Sequence, residues 1–474
     1  MGIFFGALPG ITGTITLAIL IPFAVKTNPI NALALLLGAH VAVEFGGSIS
    51  AILINTPGTG QAVATCFDGY PMARKGQAAR AISISATSSA IGGLIGFAVL
   101  VAALPVMRSL VMALSAPEYF IMAFVGLTFI ALLGEKSVVK GLIAGGLGLM
   151  TAMVGLDPVT STPRYTFHWL YLWDGIDLIA VVVGFFAFAE MIELVRKGTA
   201  SSIAETVDVK PSLVQVWQGI KDTFRYWKTL LQCSALGVIL GIVPGLGGTV
   251  ANVMAYGLAK RVSKDTHDFG QGAPEGVLAP ESANNSKEGG ALIPTLAFGI
   301  PGSAAMAIFL SVFIMMGIVP GPEMVTKNLD ITFALAWVLA LANVLATLIG
   351  LGMAAGLARF TFVPTRYLVP IVLGLGTVGA NVSSDNIGGV VVAVVFAFLG
   401  YAFKRFDYPK APFIVGLVLG TVVERYLHLA VRLYSPLFFL RPISLGIIIA
   451  TLAFFAWQVW RNRREAHSRE VTQA

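Results

Sequence analysis

Gly46-Gly47-Ser48-Ile49-Ser50-Ala51-Ile52-Leu53-Ile54-Asn55-Thr56-Pro57-Gly58-Thr59 is an apolar run that stops at a Pro-Gly pair. Proline lacks an N–H and clashes with the preceding turn, while glycine accepts backbone shapes other residues resist, so a helix ends here. About ten residues lead up to the break, half of the roughly 20 needed to cross a bilayer. The arrangement returns downstream. Glu44, Gly46, Pro57, Gly58 and Thr59 match Glu288, Gly290, Pro301, Gly302 and Ser303, both reading E-x-G-x10-P-G-[TS]. Each run predicts one arm of a re-entrant hairpin. Two tips meeting near the midplane would form a small polar site. Gly46, Gly47, Ser48, Asn55, Thr56, Pro57, Gly58, Thr59 and Gln61 would supply one side, and Gly299, Pro301, Gly302 and Ser303 the other.

A second pair precedes the first. Gly6-Ala7-Leu8-Pro9-Gly10-Ile11-Thr12-Gly13-Thr14 recurs as Gly241-Ile242-Val243-Pro244-Gly245-Leu246-Gly247-Gly248-Thr249, both G-x-x-P-G-x-x-G-T. Two ordered motif pairs imply an internal duplication, and paired Gly/Pro breaks in corresponding positions point to a transporter's binding site. Pro9, Gly10 and Thr14, with Pro244, Gly245 and Thr249, are the helix-break candidates. A helix starting after such a break offers free N–H groups and a partial positive charge to an anion. The competing reading is a kink, or a close helix crossing at small residues.

Composition sets the solvent. Of 474 residues, 56% are hydrophobic and 12% charged, and the mean hydropathy is +0.83. Soluble domains carry roughly 25% charged residues, so a bilayer suits this chain. The net charge of +7 comes from basic residues at the ends of apolar spans, a membrane pattern rather than a nucleic-acid one. Cys66 and Cys233 show no metal or redox spacing. No H-E-x-x-H, Walker A or G-x-S-x-G string occurs, and no metal, cofactor or enzymatic chemistry is expected. No basic n-region precedes the first apolar stretch.

Apolar stretches predict about 10–13 helical elements, giving an all-α polytopic membrane protein in two repeats, expected to be inverted, with broken helices and paired re-entrant hairpins. The expected organisation is a first repeat over 1–195, a polar cytoplasmic linker over 196–228 with an amphipathic helix near 212–226, a second repeat over 229–460, and a basic tail over 461–474. Residues 260–287 read as a second polar interruption. Within them Glu281, Ser282, Asn284 and Asn285 form a dense donor/acceptor cluster, either a site or a solvated turn. Asp385 and Asn386 lie in a similar cluster, at membrane depth or in a short loop. With Glu44 and Glu288 they are candidate coupling-ion ligands; for the two glutamates the alternative is a hydrogen-bond partner at a hairpin base.

Longer strings resemble a known family. Asp68-Gly69-Tyr70-Pro71-Met72-Ala73-Arg74, Pro163-Arg164-Tyr165-Thr166-Phe167, Ala279-Pro280-Glu281-Ser282-Ala283-Asn284-Asn285 and Gly289 to Ser303 resemble the large membrane subunit of the tripartite tricarboxylate transporters (TctA-like permeases). The resemblance covers nearly the whole chain. It implies a multi-pass subunit of the bacterial inner membrane, working with a small four-helix membrane subunit and a periplasmic solute-binding protein. It also implies import of small carboxylates, citrate-like or dicarboxylate, driven by a Na+ or H+ gradient. In such a family a further apolar helix would precede the G-x-x-P-G motif, which here starts at Gly6. The readings from other classes are a membrane-embedded enzyme on lipid or polyprenyl substrates, and a channel.

Overall fold

The computed structural model describes residues 1–8, 11–133, 137–157, 160–197, 212–263, 265–360, 365–384 and 386–453. Pro9, Gly10, Asp385, residues 198–211 of the 196–228 linker and the 461–474 tail lie outside them.

The described chain is helical apart from one two-residue antiparallel pair, Gly155–Leu156 with Pro163–Arg164. The first half contains α1 (Gly2–Ala7), α2 (Gly13–Ala24), α3 (Pro29–Ile54), α4 (Val63–Met72), α5 (Ala78–Ala113), α6 (Ala116–Leu133) and α7 (Val138–Ala152). It ends with α8 (Leu178–Val182), which runs through a π turn into α9 (Ala189–Lys197). Then comes α10 (Leu213–Arg225), amphipathic as expected, which leaves Leu213, Val214, Trp217 and Phe224 exposed. The second half contains α11 (Trp227–Ile242), α12 (Gly247–Val262), α13 (Pro274–Phe298), α14 (Ala304–Met315), α15 (Leu329–Phe360), α16 (Thr365–Ser384), α17 (Ile387–Arg405) and α18 (Lys410–Tyr434). Among the described residues seven helices are long and apolar enough to cross a membrane, and six shorter apolar helices accompany them. Exposed stripes such as Leu341, Leu345 and Leu348 on α15, or Val391, Val395 and Phe398 on α17, recur at helical spacing. A stripe of this kind suits lipid rather than water.

The two halves are built by the same contacts. A Cβ on Gly2, Gly6 or Gly46 would strike the carbonyl of Ala39, Val43 or Ile3. A Cβ on Gly237, Gly241 or Gly290, the matching positions, would strike the carbonyl of Ala283, Lys287 or Val238. Backbone therefore lies on backbone where α1 meets α3 and where α11 meets α13, and only glycine allows that approach. The matched helices run in opposite senses. Ile52, near the end of α3, packs where a Gly69 Cβ would stand. The neighbouring Asp68 accepts from Gly270, Gly272 and Ala273 N–H at 2.8, 2.7 and 2.8 Å, at the start of α13. The end of α3 thus lies at the start of α13, and the repeat is inverted.

Two expectations of length are corrected. The ten-residue arms are the last turns of long helices, α3 of 26 residues and α13 of 25, each roughly 37–39 Å at 1.5 Å per residue. Glycines inside the E-x-G-x10-P-G string do not interrupt the helix; they let α1 and α11 pack on it. The re-entrant hairpin is made instead by the G-x-x-P-G-x-x-G-T motif. Thr229 at the start of α11 donates to Glu275 at 2.8 Å, and Ser263 just past α12 also donates to Glu275. Both arms of α11–α12 therefore return to the end where α13 begins, with Pro244-Gly245 at the turn between them.

The second half of the polar interruption expected over 260–287 is the buried first half of α13. A helix forms there despite its polar residues because several of its side chains find partners on neighbouring helices. Glu281 accepts from Thr65 Oγ1 and from Ser89 Oγ at 3.0 Å. Ser286 donates to the Ser234 carbonyl at 2.9 Å, and Asn285 donates to Asn343. Burying a carboxylate costs several kcal/mol unless such bonds replace its water.

Candidate functional site

Four chain breaks converge on one cavity of about 370 Å³. Its walls come from residues 12–14 at the start of α2, 59–61 before α4, 245–250 at the hairpin turn, and 302–305 at the start of α14. Each segment opens a helix. At Thr12, Thr59 and Leu246 no side chain caps the first turn, so no side chain there competes with a ligand for the leading backbone N–H groups. At the fourth, Ser303 accepts from Met306 N–H at 3.3 Å. Gly245 takes φ +88°, the left-handed region that favours glycine, and its N–H bonds the Gly302 carbonyl at 3.2 Å. The hairpin turn is thereby fixed to the second Pro-Gly break.

The cavity floor is charged. His40, Glu44, Lys287 and Glu288 are each no more than 3% exposed. His40 Nε2 lies 3.3 Å from Glu288 Oε1, and His40 Nδ1 lies 4.0 Å from Glu44 Oε1. Lys287 Nζ lies 2.6 Å from Glu288 Oε1 and donates to Gln61 Oε1 at 3.2 Å. Gly248 is a glycine for this reason, since a Cβ would fill the space of the Gln61 carboxamide. Gly13 is too: a Cβ would stand 2.8 Å from His40 Nδ1 and 2.9 Å from Glu44 Oε1. A second cavity of about 560 Å³ shares Thr12, Thr14, Thr59 and Ala304 with the first. It leads out past Pro57, Gly58, Glu190 and Lys404, which pair at 2.7 Å in the latter two.

That exit lies on the basic face of the molecule. Lys140 reaches the Phe406 carbonyl at 2.6 Å, joining the start of α7 to the end of α17. Arg80, at the start of α5, pairs with Asp222 of α10 at 2.6 Å. A larger cavity of about 760 Å³ draws its walls from residues 151–178 and 417–432. It sits at the other end, where Arg164 is held by Glu424 at 2.6 and 3.1 Å, away from all four breaks.

Comparison with known proteins now decides the family: residues 1–415 match the tripartite tricarboxylate transporter TctA family. The chain belongs to it. A relative from Agrobacterium vitis, described as an uncharacterized 52.8 kDa protein in the TAR-I ttuC' 3' region, is 32% identical over 456 residues, covering 96% of this chain and 90% of the relative. A second from the same organism, an uncharacterized protein in the TAR-II ttuC' 3' region, is 32% identical over 225 residues, covering 46% of this chain and 93% of the relative. No solved structure matches. The family is one of transporters, and this TctA-family chain is a multi-pass membrane subunit.

Of the site residues expected from the sequence, the fold brings Glu44, Thr14, Thr59, Gly245, Thr249, Gly302 and Ser303 to the cavity. Glu288 sits just behind it. Others go elsewhere. Asn55 and Thr56 are exposed, and Asn55 ends α3 in the left-handed region at φ 53°, just as the matching Gly299 ends α13 at φ 67°. Gly46 and Gly47 pack backbone, and Ser48 donates to its own helix at the Glu44 carbonyl. Ser282 does likewise at the Ala279 carbonyl, at 3.0 Å. Glu281 and Asn285 tie α13 to α4, α5 and α15, on faces turned from the cavity, and Asn284 is buried on α13 without lining it. Asn386 accepts from Gly388 N–H at 2.9 Å and caps α17. Pro301 and Pro244 shape their turns.

His40 and Lys287 were missed. His40 reads as a scattered histidine, yet His40 and Glu44 stand at i and i+4 on one helix face. Lys287 is an ionisable residue inside a stretch that continues into an apolar run, itself a functional signal.

Proposed function

We propose that this chain is the carboxylate-conducting subunit of a tripartite transporter, importing small carboxylates against their gradient at the expense of an ion gradient. One observation carries the reading: four helix starts, three of them uncapped, open on one cavity that also holds Lys287. Free N–H groups and the positive ends of helix dipoles favour a negative charge, and a buried ammonium adds a point charge. Thr12, Thr14, Thr59, Thr249 and Ser303 add hydroxyl donors of the kind a carboxylate or citrate hydroxyl would use. Hairpin turns from two inverted repeats around a central site are the usual ground for alternating access.

In this reading residues 1–195 and 229–460 are the two repeats, and the basic face is cytoplasmic by the positive-inside rule. The cavity then stands open to the cytoplasm. The membrane is the bacterial inner membrane, a periplasmic solute-binding protein delivers the substrate to the opposite face, and a small four-helix subunit completes the complex. Reconstitution of the three subunits in liposomes tests this directly. Labelled citrate and succinate should accumulate only with the binding protein present and a Na+ or proton gradient imposed. Uptake that persists without either contradicts coupled transport.

A further inference from the structure

We propose that the His40–Glu288–Lys287 cluster makes carboxylate binding proton-linked: the incoming carboxylate takes Lys287 from Glu288, and His40 binds one proton to hold the Glu288 charge. This rests on the transport reading above and names its coupling ion.

The geometry leads there in steps. Lys287 lines the cavity, whereas Glu288, its partner at 2.6 Å, sits behind it. A carboxylate entering from the cavity therefore meets the lysine from its open side. An ammonium has three donors, but Gln61 and Glu288 already occupy two directions. A second full negative charge beside Glu288, in a site this buried, needs a second positive one. Among the described residues His40 is the group placed to supply it. Its Nε2 faces Glu288 and its Nδ1 faces Glu44. A neutral imidazole donates from one nitrogen and points a lone pair at the other carboxylate, while an imidazolium donates to both. Neither His40 nitrogen makes a hydrogen bond. Glu44, Glu288 and Lys287 are the charged groups that reach His40. The other helices around it, α1, α2 and α14, contain no ionisable residue, and α14 presents the Phe309 ring at 6.1 Å.

The balance is simple. The one carboxylate group that meets Lys287 brings one negative charge, one proton from solution adds to the imidazole and cancels it, Lys287 stays an ammonium throughout, and the substrate's remaining charge is carried with it. On release toward the other solution the lysine returns to Glu288 and the proton leaves. No covalent step occurs.

The duplication supplies a gentle variant. Position 284 matches position 40, and there the chain carries Asn284, buried in the same kind of helix contact. His40→Asn is thus a replacement the fold already uses. Isothermal titration of the purified full-length chain with succinate, fully ionised at pH 7.5, is run in buffers of differing ionisation enthalpy. The dependence of the heat on the buffer gives the protons bound. The expected result is proton uptake on succinate binding, approaching one proton per succinate, and a Kd that falls as the pH is lowered from 8 to 7. Citrate should behave alike. His40→Asn should bind at higher succinate concentration with no proton taken up, and keep its thermal unfolding midpoint. A flat Kd with no proton uptake in the unaltered protein, binding that needs Na+ in place of a proton, or an unchanged proton count in His40→Asn each overturn the proposal. Absence of any carboxylate binding to the unaltered protein overturns the transport reading itself, and this proposal with it.

Discussion

His40 Nε2, on the long helix of the first half, lies 3.3 Å from Glu288 Oε1 on the matching helix of the second. Glu288 is the repeat partner of Glu44, which stands one turn from His40 on its own helix at 4.0 Å. One histidine is thus shared by two symmetry-related carboxylates at the place where the inverted halves cross. The contact joins the two repeats through one imidazole, directly beneath the cavity formed by their broken helices.

Lys287→Gln removes the cation that faces the cavity. A charge-assisted hydrogen bond contributes about 1.5–3 kcal/mol, so citrate affinity of the purified chain should fall roughly 10- to 100-fold. An unchanged Kd by titration calorimetry would place the carboxylate elsewhere.

Gly6 and Gly241 hold equivalent positions against the Val43 and Lys287 carbonyls. Alanine at either forces backbone apart, and overpacking of this kind costs about 1–3 kcal/mol. Gly6→Ala and Gly241→Ala should each lower the thermal unfolding midpoint in detergent. Alanine tolerated at Gly241 would contradict the close helix contact.

Asp68 is completely buried and accepts three backbone N–H bonds ahead of α13, with a fourth from Tyr256 at 2.9 Å. It stands in for an N-cap supplied from another helix. Asp68→Asn keeps the shape but turns an amide toward donors, and should cost about 2–3 kcal/mol. Hydrogen exchange should rise over residues 266–276 before it rises in the remainder of α13. Protection that is unchanged there would remove the capping role.

Asn55 separates a structural reading from a binding one. Its left-handed φ of 53° matches Gly299 at 67°, and its side chain is exposed. Asn55→Gly should leave stability and transport near the unaltered level, while Asn55→Ala loses about 1 kcal/mol. Loss of uptake in Asn55→Gly, in an otherwise stable protein, would restore it to the binding site.

The architecture was legible where the residues act through the backbone. Pro-Gly breaks, the E-x-G-x10-P-G pair and the charge deficit led to an inverted, all-helical membrane fold, because these signals are local and the duplication printed them twice. The length of the arms was not. Gly46-Gly47 and Gly289-Gly290 look like helix breakers in one dimension, and only the neighbouring helix explains them as close contacts. The Glu281–Asn285 cluster misled for a related reason. Its hydrogen-bond partners, Thr65, Ser89 and Asn343, are remote in sequence, so a buried helix looked like a polar turn. Lys287 and His40 escaped because only the fold shows that the two helices carrying them meet, His40 reaching Glu288 and Lys287 reaching Gln61.

The central claim is that carboxylate binds between the hairpin turn and the second Pro-Gly break. Thr249 lines that cavity, and the chain has only two cysteines, Cys66 and Cys233. With both changed to serine, Thr249→Cys can be labelled by a small water-soluble thiol reagent, with and without saturating citrate, in protein shown to bind it. The account predicts labelling slowed at least severalfold by citrate, and no slowing at a cysteine placed at exposed Asn55. Citrate that binds while Thr249→Cys reacts at its full rate would contradict it.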